Sequence, residues 1–227
     1  MNFYRIDIST NEKAVGTIPQ ISEAVYPTTI DDPRSLQGFL NRKADETVLI
    51  PKPILRNKAK LTDYLSSSLS MPLFSGKLKM LFETSLNFGI QFFETSIYIN
   101  DKEVQDFWIA NAYEYGYDYL DLNKSRFSIM AGILDNTPVE ELKFNSPADV
   151  EKAFQQQMII AEQMGILKHQ PLRITTVAIR EDAEIDFFPL RLVAGGVGFY
   201  ISELLKHSIE KAGCSGIVFK APNENWY

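Results

Sequence analysis

The chain has few of the residues that build common catalytic and metal sites. Its 227 residues include one cysteine, Cys214, and two histidines, His169 and His207. A single cysteine cannot form an intrachain disulfide. One cysteine and two histidines cannot complete a usual zinc site without several carboxylates. The GxxxxGK, HExxH and GxSxG patterns of phosphate-binding loops, zinc proteases and serine hydrolases are also missing. We therefore expect no metal and no cofactor.

Cys214 is the one candidate nucleophile of the cysteine class. It stands in KAGCSG, at the predicted end of a helix, where a small buried thiol is more common than a reactive one. Nucleophilic use would also require a nearby base, and the sequence does not place His169 or His207 beside it. A structural role is the favoured interpretation.

Long apolar runs and an excess of basic charge are also missing. No segment reaches the roughly 18 uninterrupted apolar residues of a membrane span, and MNFYRIDISTNEKAVG lacks the apolar core of a signal peptide. We therefore expect a cytoplasmic protein with no membrane partner. Asp and Glu number 29 against 23 Lys and Arg, a net charge of -6. This balance argues against nucleic acid as a partner, and it suits either a basic protein partner or solubility alone.

The first part of the chain, residues 1–72, is predicted to be loop-rich with short strands. It holds six of the eleven prolines and little sustained periodicity. The alternation in NFYRIDI predicts a half-buried strand, and ETVLIP predicts a second strand that Pro51 ends. Residues 73–227 carry clearer signals and form an α+β region, and the two parts are compatible with one continuous domain.

Three helices are predicted from their capping residues. The first spans about 76–86 after Ser75, with an apolar stripe of Leu78, Leu81, Phe82 and Leu86. The second follows Ser146 and ends at Gly165; Pro147 and Asp149 complete its first turn. Its apolar stripe is Val150, Ala153, Phe154, Met158, Ala161 and Met164. The third runs from about Ser202 to Ala212 and ends at Gly213.

Hairpins dominate the predicted strands. FGIQFFETSIYI and VQDFWIANAYEY are joined by NDKE, too short a connection for a parallel crossover. LRITTVAI and DFFPLRLV follow, joined by REDAE, and GIVFK forms the last strand. VAGGVGF, with Gly195, is interpreted as a loop that leads into the last helix, because it lacks the spacing of a phosphate-binding turn. The order predicts an α+β fold with mostly antiparallel sheet and about three helices packed on it.

The stretch YEYGYDYLDLNKSRF, residues 113–127, has two interpretations. It is either a strand with one tyrosine face that Gly116 interrupts as a bulge, or a sugar site with paired carboxylates and Trp108 nearby. In the first, Asp118 and Asp121 accept backbone amides in a turn. That interpretation is favoured, since tyrosine is common in strands. A carbohydrate-binding or carbohydrate-active domain remains the alternative.

Four stretches, taken in order, carry a resemblance to a known family. They are SGKLKMLFE, IQFFETSIYINDKEVQDFWIANAYEYGYDYLDLNKSRF, FFPLRL and FYISELLKHSIEKAGCSGIVFKAP. Across roughly residues 73–222 they resemble immunity proteins of bacterial polymorphic-toxin systems, in the group named after a myxobacterial immunity protein and formerly classed as a domain of unknown function. The first 70 residues match that family only loosely, at FYRIDI and YP.

The resemblance implies a non-enzymatic protein that binds a cognate toxin domain in the cytoplasm of the producing cell and blocks it. It carries over no catalytic residue. The positions that match the family pattern are expected to mark the fold; they are Asp118, Asp121, Ser125, Ser202, Glu203, Gly213 and Gly216. Exposed aromatic side chains would be natural anchors for a partner. The candidates are Trp108, Tyr113, Tyr115, Tyr117 and Trp226. A regulatory module with an unrelated protein partner is a third possibility.

Overall fold

The computed structural model describes residues 2–25, 32–39, 42–68, 71–133, 135–164, 169–194 and 196–222. Within these residues it contains thirteen strands and four α-helices. The strands are β1 (Phe3–Ile8), β2 (Ile21–Val25), β3 (Lys52–Leu55), β4 (Tyr64–Leu65), β5 (Leu73–Ser75), β6 (Ile90–Ile99), β7 (Lys102–Ala112), β8 (Arg126–Met130), β9 (Pro138–Leu142), β10 (Leu172–Thr176), β11 (Phe187–Val193), β12 (Gly196–Ser202) and β13 (Ile217–Lys220). The helices are α1 (Glu12–Val15), α2 (Gly76–Glu83), α3 (Pro147–Met164) and α4 (Glu203–Lys211).

The strands form three sheets. A four-stranded sheet has the order β11-β12-β1-β13, a six-stranded sheet has the order β2-β3-β6-β7-β5-β4, and a three-stranded sheet has the order β10-β8-β9. Among the described strands, β3 with β6 is the one parallel pair and the other pairs are antiparallel. The predicted α+β class with mostly antiparallel sheet is therefore confirmed. Strands from before and after residue 72 share two sheets: β1 lies between β12 and β13, and β3 pairs with β6.

The four-stranded sheet is the central layer, with a core on each face. One core joins it to the three-stranded sheet and α3, through residues such as Phe127, Val150 and Phe188. The second joins it to the six-stranded sheet, α2 and α4, through residues such as Phe82 and Phe187. A third core, which includes Ile21, Leu36, Leu73, Ile97 and Ile109, packs on the six-stranded sheet. Adjacent residues of β11 therefore reach different cores, because side chains alternate along a strand.

β1 is covered on both faces. Its alternation is as predicted, but Arg5 and Asp7 are 4% and 5% exposed, so the prediction of a half-buried strand is wrong. The charged side chains of this strand pair with each other instead of facing water: Arg5 Nε lies 3.3 Å from Asp7 Oδ1.

The three predicted helices are confirmed, each with a serine cap. Ser75, Ser146 and Ser202 accept hydrogen bonds at 3.2 Å from the third amide after each of them. α2 ends at Glu83, earlier than predicted, and Leu86 is 63% exposed. In α3 the stripe is buried at Val150 and Phe154, but Met158 is exposed, since the second half of the helix extends past the core. Gly165, which was predicted to end it, lies outside the described residues.

The hairpin of β6 and β7 is confirmed, with Ile90 opposite Ala112 and Ile99 opposite Lys102. Asn100 and Asp101 form its turn with φ of 47° and 65°. Asparagine and aspartate tolerate this left-handed geometry, which matches the twist of a two-residue hairpin.

Three strand predictions are wrong. The segments 172–179 and 186–193 do not form a hairpin, because β10 pairs with β8 and β11 pairs with β12. Gly196–Phe199, predicted as a loop, belongs to β12. ETVLIP contributes only an isolated bridge at Leu49, and the strand begins after Pro51. β10 pairs with a strand more than forty residues earlier, so local alternation could not identify its partner. β12 instead pairs with β11 just before it, and the glycines of VAGGVGF concealed this hairpin. Gly195, Trp226 and the YP pair at 26–27 lie outside the described residues.

Candidate functional site

The tyrosine segment, residues 113–119, leaves the sheet instead of continuing β7. β7 ends at Ala112, and the amides of Tyr113 and Glu114 both donate to the Gly89 carbonyl, at 2.8 and 3.3 Å. Two successive amides that share one carbonyl interrupt the regular ladder, as in a β-bulge, and here the next strand begins only at Arg126. The prediction that a strand runs through the tyrosines is therefore wrong.

Gly116 anchors the tyrosine segment to the central sheet. Its amide donates to the carbonyl of Pro189 in β11 at 2.9 Å, and Tyr117–Tyr119 then forms a 3-10 turn. A Cβ at this position would lie 2.4 Å from Phe188 Cδ2 and 2.7 Å from Tyr119 Cδ2. The backbone can therefore approach β11 this closely only because the residue is glycine.

A cleft of about 400 Å³ opens between this segment and the first turns of α3. We call it the tyrosine cleft. Its lining combines aromatic side chains with three carboxylates: Phe88, Tyr113, Glu114, Tyr115, Tyr117, Asp118, Pro147, Ala148, Glu151, Phe154 and Gln155. Glu114 and Asp118 are exposed, so the rim of the cleft is acidic.

Tyr117 lies deepest in the tyrosine cleft. It is 3% exposed, and its hydroxyl is buried with no hydrogen-bond partner in the described part of the chain. Burial raises the pKa of Tyr117, and the nearby Glu151 carboxylate raises this pKa further. Tyr113 and Tyr115 are half-buried. Of the three tyrosines predicted as anchors, Tyr113 and Tyr115 can meet a partner directly, whereas Tyr117 forms the floor.

Arg191 of β11 lies behind the tyrosine cleft. Its guanidinium carbon is 4.1 Å from the ring centroid of Phe154 and 5.8 Å from that of Tyr115. Burial lowers the pKa of Arg191, although Tyr115, Tyr117 and Glu151 oppose that change. An arginine stays charged through a change of this kind, so a half-buried positive charge lies close to both aromatic rings.

A second cleft, of about 470 Å³, opens between the four-stranded and six-stranded sheets. We call it the inter-sheet cleft. Tyr115 and Arg191 are part of its wall, so the two clefts adjoin there. Its apolar lining includes Leu65, Met71, Ala110, Val197 and Phe199, and its polar lining includes Arg5, Asp7, Asn111 and Arg191.

Arg5 and Asp7 form a buried ion pair at the inter-sheet cleft. Arg5 Nη2 also donates to the Ala194 carbonyl at 2.7 Å, and Lys220 Nζ lies 3.5 Å from Asp7 Oδ2. Burial raises the pKa of Asp7, and the positive charges of Arg5 and Lys220 limit that rise. The charge of Arg5 is thus matched by a carboxylate within the protein.

Asn111 of β7 is the most deeply buried polar residue of this cleft, at 1% exposed. Its Nδ2 donates to the Arg42 carbonyl at 3.0 Å, which fixes the orientation of the amide. Oδ1 has no hydrogen-bond partner in the described residues. A buried acceptor left without a donor is unusual in folded proteins.

Asp118 and Asp121 are separated by the turn. Asp118 is exposed at the tyrosine cleft, whereas Asp121 is not among its lining residues. Oδ1 of Asp121 accepts the amides of Asn123 and Lys124 at 3.1 and 3.3 Å, and Oδ2 pairs with Lys124 Nζ at 3.2 Å. Ser125 exchanges hydrogen bonds with the backbone of Ala178 at 3.1 and 3.2 Å. The carboxylate of Asp121 is therefore engaged within its own turn, as the turn interpretation predicts.

Trp108 lies away from both clefts. Lys79 Nζ of α2 is 3.9 Å from its ring centroid, and its Nε1 is buried without a hydrogen-bond partner in the described residues. The indole is half-buried on the six-stranded sheet. Its main contact is therefore with α2 of the same chain.

The remaining family-pattern residues lie around α4. Ser202 caps the helix and donates to Asp186 Oδ1 at 2.5 Å, while the Glu203 carboxylate accepts from Asn2 and Tyr4 at 3.3 and 3.4 Å. Gly213 ends the helix with φ of 64°. Gly216 has φ of 80°, and a Cβ there would lie 2.3 Å from the Tyr64 carbonyl oxygen.

Cys214 follows α4 and is half-buried. Burial raises the pKa of its thiol, and Asp63 raises it further. His169 Nε2 lies 2.6 Å from Gln157 Oε1, and His207 Nδ1 lies 2.7 Å from the Glu203 carbonyl. A raised pKa is the reverse of what an activated cysteine requires.

Arg5, Asp7, Asn111 and Arg191 are site residues that sequence analysis missed. The signal that could have found Arg5, Asp7 and Arg191 is a charged residue inside an otherwise apolar strand, as in FYRIDI and FFPLRLV. Asn111 gives no comparable signal. A buried charge must be compensated by another group of the protein or by a ligand, so such a position indicates an ion pair or a binding site.

Comparison with protein-family models gives no match for this chain, and comparison with curated proteins gives none either. In the described part of the chain, no group of three or more His, Cys, Asp or Glu side chains is arranged to hold a metal ion. None of the described helices combines the length and the apolar character needed to cross a membrane.

Proposed function

We propose that the chain is a non-enzymatic immunity protein that binds and neutralises a toxin domain, and that the partner docks on the tyrosine cleft. The sequence resemblance over residues 73–222 suggests the function. The observation that favours this surface is the combination of two half-buried tyrosines with the acidic rim at one opening. Tyrosine supplies large contact area with little loss of conformational freedom, which is why it is enriched in binding interfaces.

The neighbouring surface of α3 extends the proposed contact. Glu151, Gln155 and Ile159 are spaced four residues apart and so lie along one side of the helix. Ile159 is 54% exposed, and Met158 and Ile160 beside it are 37% and 38% exposed. Apolar side chains exposed next to a polar rim are typical of protein interaction sites.

The charge of the cleft indicates a basic partner. Glu114, Asp118 and Glu151 contribute three carboxylates, and the whole chain carries a net charge of -6. Opposite charge on the partner would speed association and exclude acidic proteins. A basic toxin domain, such as one that acts on nucleic acid, has the charge that fits.

The test pairs the intact chain with the toxin domain encoded beside its gene. Cells that produce both should survive, and the two purified proteins should bind. Glu114→Lys with Asp118→Lys should weaken binding about tenfold or more, because each reversal puts like charges together. Glu140→Lys with Glu141→Lys is the matched control, since these two exposed glutamates lie on β9.

Killing that proceeds unchanged beside the intact chain would overturn the function. Equal loss of affinity in the two double variants would move the contact away from the tyrosine cleft.

The alternative is carbohydrate binding through the same tyrosines. The cleft holds Tyr113 and Tyr115 beside Asp118, which is a surface that a sugar could occupy. A carbohydrate-active site would use Asp118 and Asp121 as paired carboxylates, but Asp121 accepts backbone amides within its own turn. Titration with soluble oligosaccharides separates the alternatives, because the immunity function predicts no saturable binding.

A further inference from the structure

The inter-sheet cleft is not needed for the proposed contact, and its construction differs from that of a protein docking surface. Its volume of about 470 Å³ lies within the range of roughly 300–1,000 Å³ that small-molecule sites occupy. Strands β1, β4, β7, β11 and β12 supply most of its walls, so its residues are held by sheet pairing.

Two buried polar atoms at this cleft have no partner within the described residues, and they have opposite hydrogen-bonding character. Arg191 Nη1 is a donor, and Asn111 Oδ1 is an acceptor. Because Asn111 Nδ2 is engaged by the Arg42 carbonyl, the amide cannot turn to offer a donor instead. A buried polar atom left unpaired destabilises the structure, because its interaction with water is lost without replacement. A ligand that pairs both atoms would remove that penalty.

The charges that line the cleft specify a single negative charge on the ligand. Arg5 and Asp7 neutralise each other at 3.3 Å. Arg191 instead packs on the rings of Phe154 and Tyr115. Among the charged residues that line the cleft, Arg191 is therefore the one not paired with another of them, and a single carboxylate would match its charge.

The rest of the lining is apolar. Leu65, Ala110, Val197 and Phe199 come from both sheets and face the same space. A ligand that fills it needs an apolar body as well as a charged end, because burying apolar surface supplies most of the affinity in such sites.

We propose that the inter-sheet cleft binds a small amphipathic monocarboxylate that also carries a hydroxyl or amino donor. The ligand carboxylate accepts a hydrogen bond from Arg191 Nη1, and the ligand hydroxyl or amino group donates one to Asn111 Oδ1. The apolar body of the ligand packs against Phe199 and Leu65. This function is independent of toxin binding, since it requires neither the acidic rim nor the exposed side chains of α3.

The test uses 3-phenyllactate, which has a carboxylate, an α-hydroxyl and an apolar ring. Isothermal titration of the full chain compares it with 3-phenylpropionate, which lacks the hydroxyl, and with 3-phenyllactamide, which lacks the charge. We expect 3-phenyllactate to bind about tenfold or more tightly than either analogue, because each analogue leaves one buried polar atom unpaired. Inorganic phosphate is expected not to compete.

Two variants test which side chain makes each of the two proposed hydrogen bonds to the ligand. Arg191→Met keeps an unbranched side chain against Phe154 and should abolish the preference for 3-phenyllactate over the amide. Asn111→Ala should abolish the preference over 3-phenylpropionate. A residue with a merely structural role would weaken all three ligands in parallel. Arg126→Met is the matched control, because Arg126 is exposed on β8 and does not line the cleft.

Three results would overturn the proposal: no saturation by 3-phenyllactate at millimolar concentration, equal affinity for all three compounds, or selectivity unchanged in both variants. If either variant does not fold, NMR of the intact chain decides the outcome. The signals of Ala110 and Val197 should then shift with 3-phenyllactate, and shifts confined to other regions count against the cleft.

Discussion

The tyrosine cleft and the inter-sheet cleft adjoin at Tyr115 and Arg191 but are built in different ways. The tyrosine cleft lies between an irregular segment and α3, and its rim carries exposed carboxylates. The inter-sheet cleft lies mainly between paired strands, and Arg5 and Asp7 in its wall are buried. An exposed, acidic opening suits a large partner that brings its own surface. A cleft between sheets, with apolar walls and few charged groups, suits a small ligand that enters it.

The difference also shows how one strand can serve two sites. Phe187 and Phe188 are adjacent in β11, and both are fully buried. Phe188 packs on Tyr119 at a centroid distance of 5.0 Å, whereas Phe187 stacks on Phe82 of α2 at 4.0 Å. Each ring therefore packs behind a different cleft, and substitution of one phenylalanine at a time can test each cleft separately.

Phe187→Ala and Phe188→Ala are expected to have the largest effects, because each leaves a large cavity. Each should lower the free energy of unfolding by about 3–5 kcal/mol, measured by urea denaturation. Hydrogen exchange then separates them. Phe188→Ala should expose the amides of Tyr119 and Leu120, and Phe187→Ala should expose those of α2. The same pattern of exchange in both variants would show that the two clefts are one cooperative unit.

Gly116→Ala should have a smaller effect, which is directed at the tyrosine cleft. The added Cβ meets Phe188 and Tyr119, so the segment must move or the rings must repack, and the loss of stability should be about 1–3 kcal/mol. Gly132→Ala is the control, because its Cβ meets nothing closer than 3.8 Å. Thermal unfolding compares the two variants. Equal stability would mean that the close approach of Gly116 to β11 is not required.

Asp63→Asn and Asp121→Asn should have the smallest effects, with a difference between the two regions. Asp63 precedes β4 beside the inter-sheet cleft, and its carboxylate accepts from Ser75 and Ser215 at 2.7 to 2.8 Å and pairs with Lys77. Its side chain is 12% exposed, against 21% for Asp121. We expect Asp63→Asn to lower the free energy of unfolding by about 0.5–1.5 kcal/mol at neutral pH, and Asp121→Asn to lower it less.

The loss of stability in Asp63→Asn should depend on pH, because it is the ionised carboxylate of Asp63 that stabilises the fold. Burial raises the pKa of Asp63, but the hydrogen bonds from Ser75, Ser215 and Lys77 outweigh burial, so its folded pKa lies below the ordinary value of 3.8. The stability that it contributes is present above pH 3.8 and is lost as the pH falls through the lower folded pKa. Urea unfolding of the intact chain and the variant should therefore converge in acid. A constant difference at all pH values would show that the charge of Asp63 is not involved.

Sequence reasoning succeeded where the deciding interactions are local. A serine that accepts an amide three residues later defines each long helix, and Asn100 with Asp101 defines the hairpin of β6 and β7. The same reasoning identified the tyrosine segment as the place to inspect, although the segment is not a strand. These outcomes depend on residues within a few positions of one another.

Sequence reasoning failed where the partner is distant. β10 could not be assigned to β8 across more than forty residues, and the burial of Arg5 with Asp7 depends on β12 and β13, which flank β1 from far along the chain. Asn111 is ordinary in its own strand and becomes informative only when the sheets place it at one cleft with Arg191. Which polar atoms remain unpaired is a property of the assembled core.

The position of β1 has a consequence for folding kinetics. Phe3 of this strand lies opposite Ser202 of β12, and Arg5 lies opposite Lys220 of β13, so both neighbours of β1 are distant in sequence. Such pairings require a large loop to close before they contribute any stability, which slows folding. We therefore expect the four-stranded sheet to close late in folding, and both clefts to form only then, because each depends on β11 or β12.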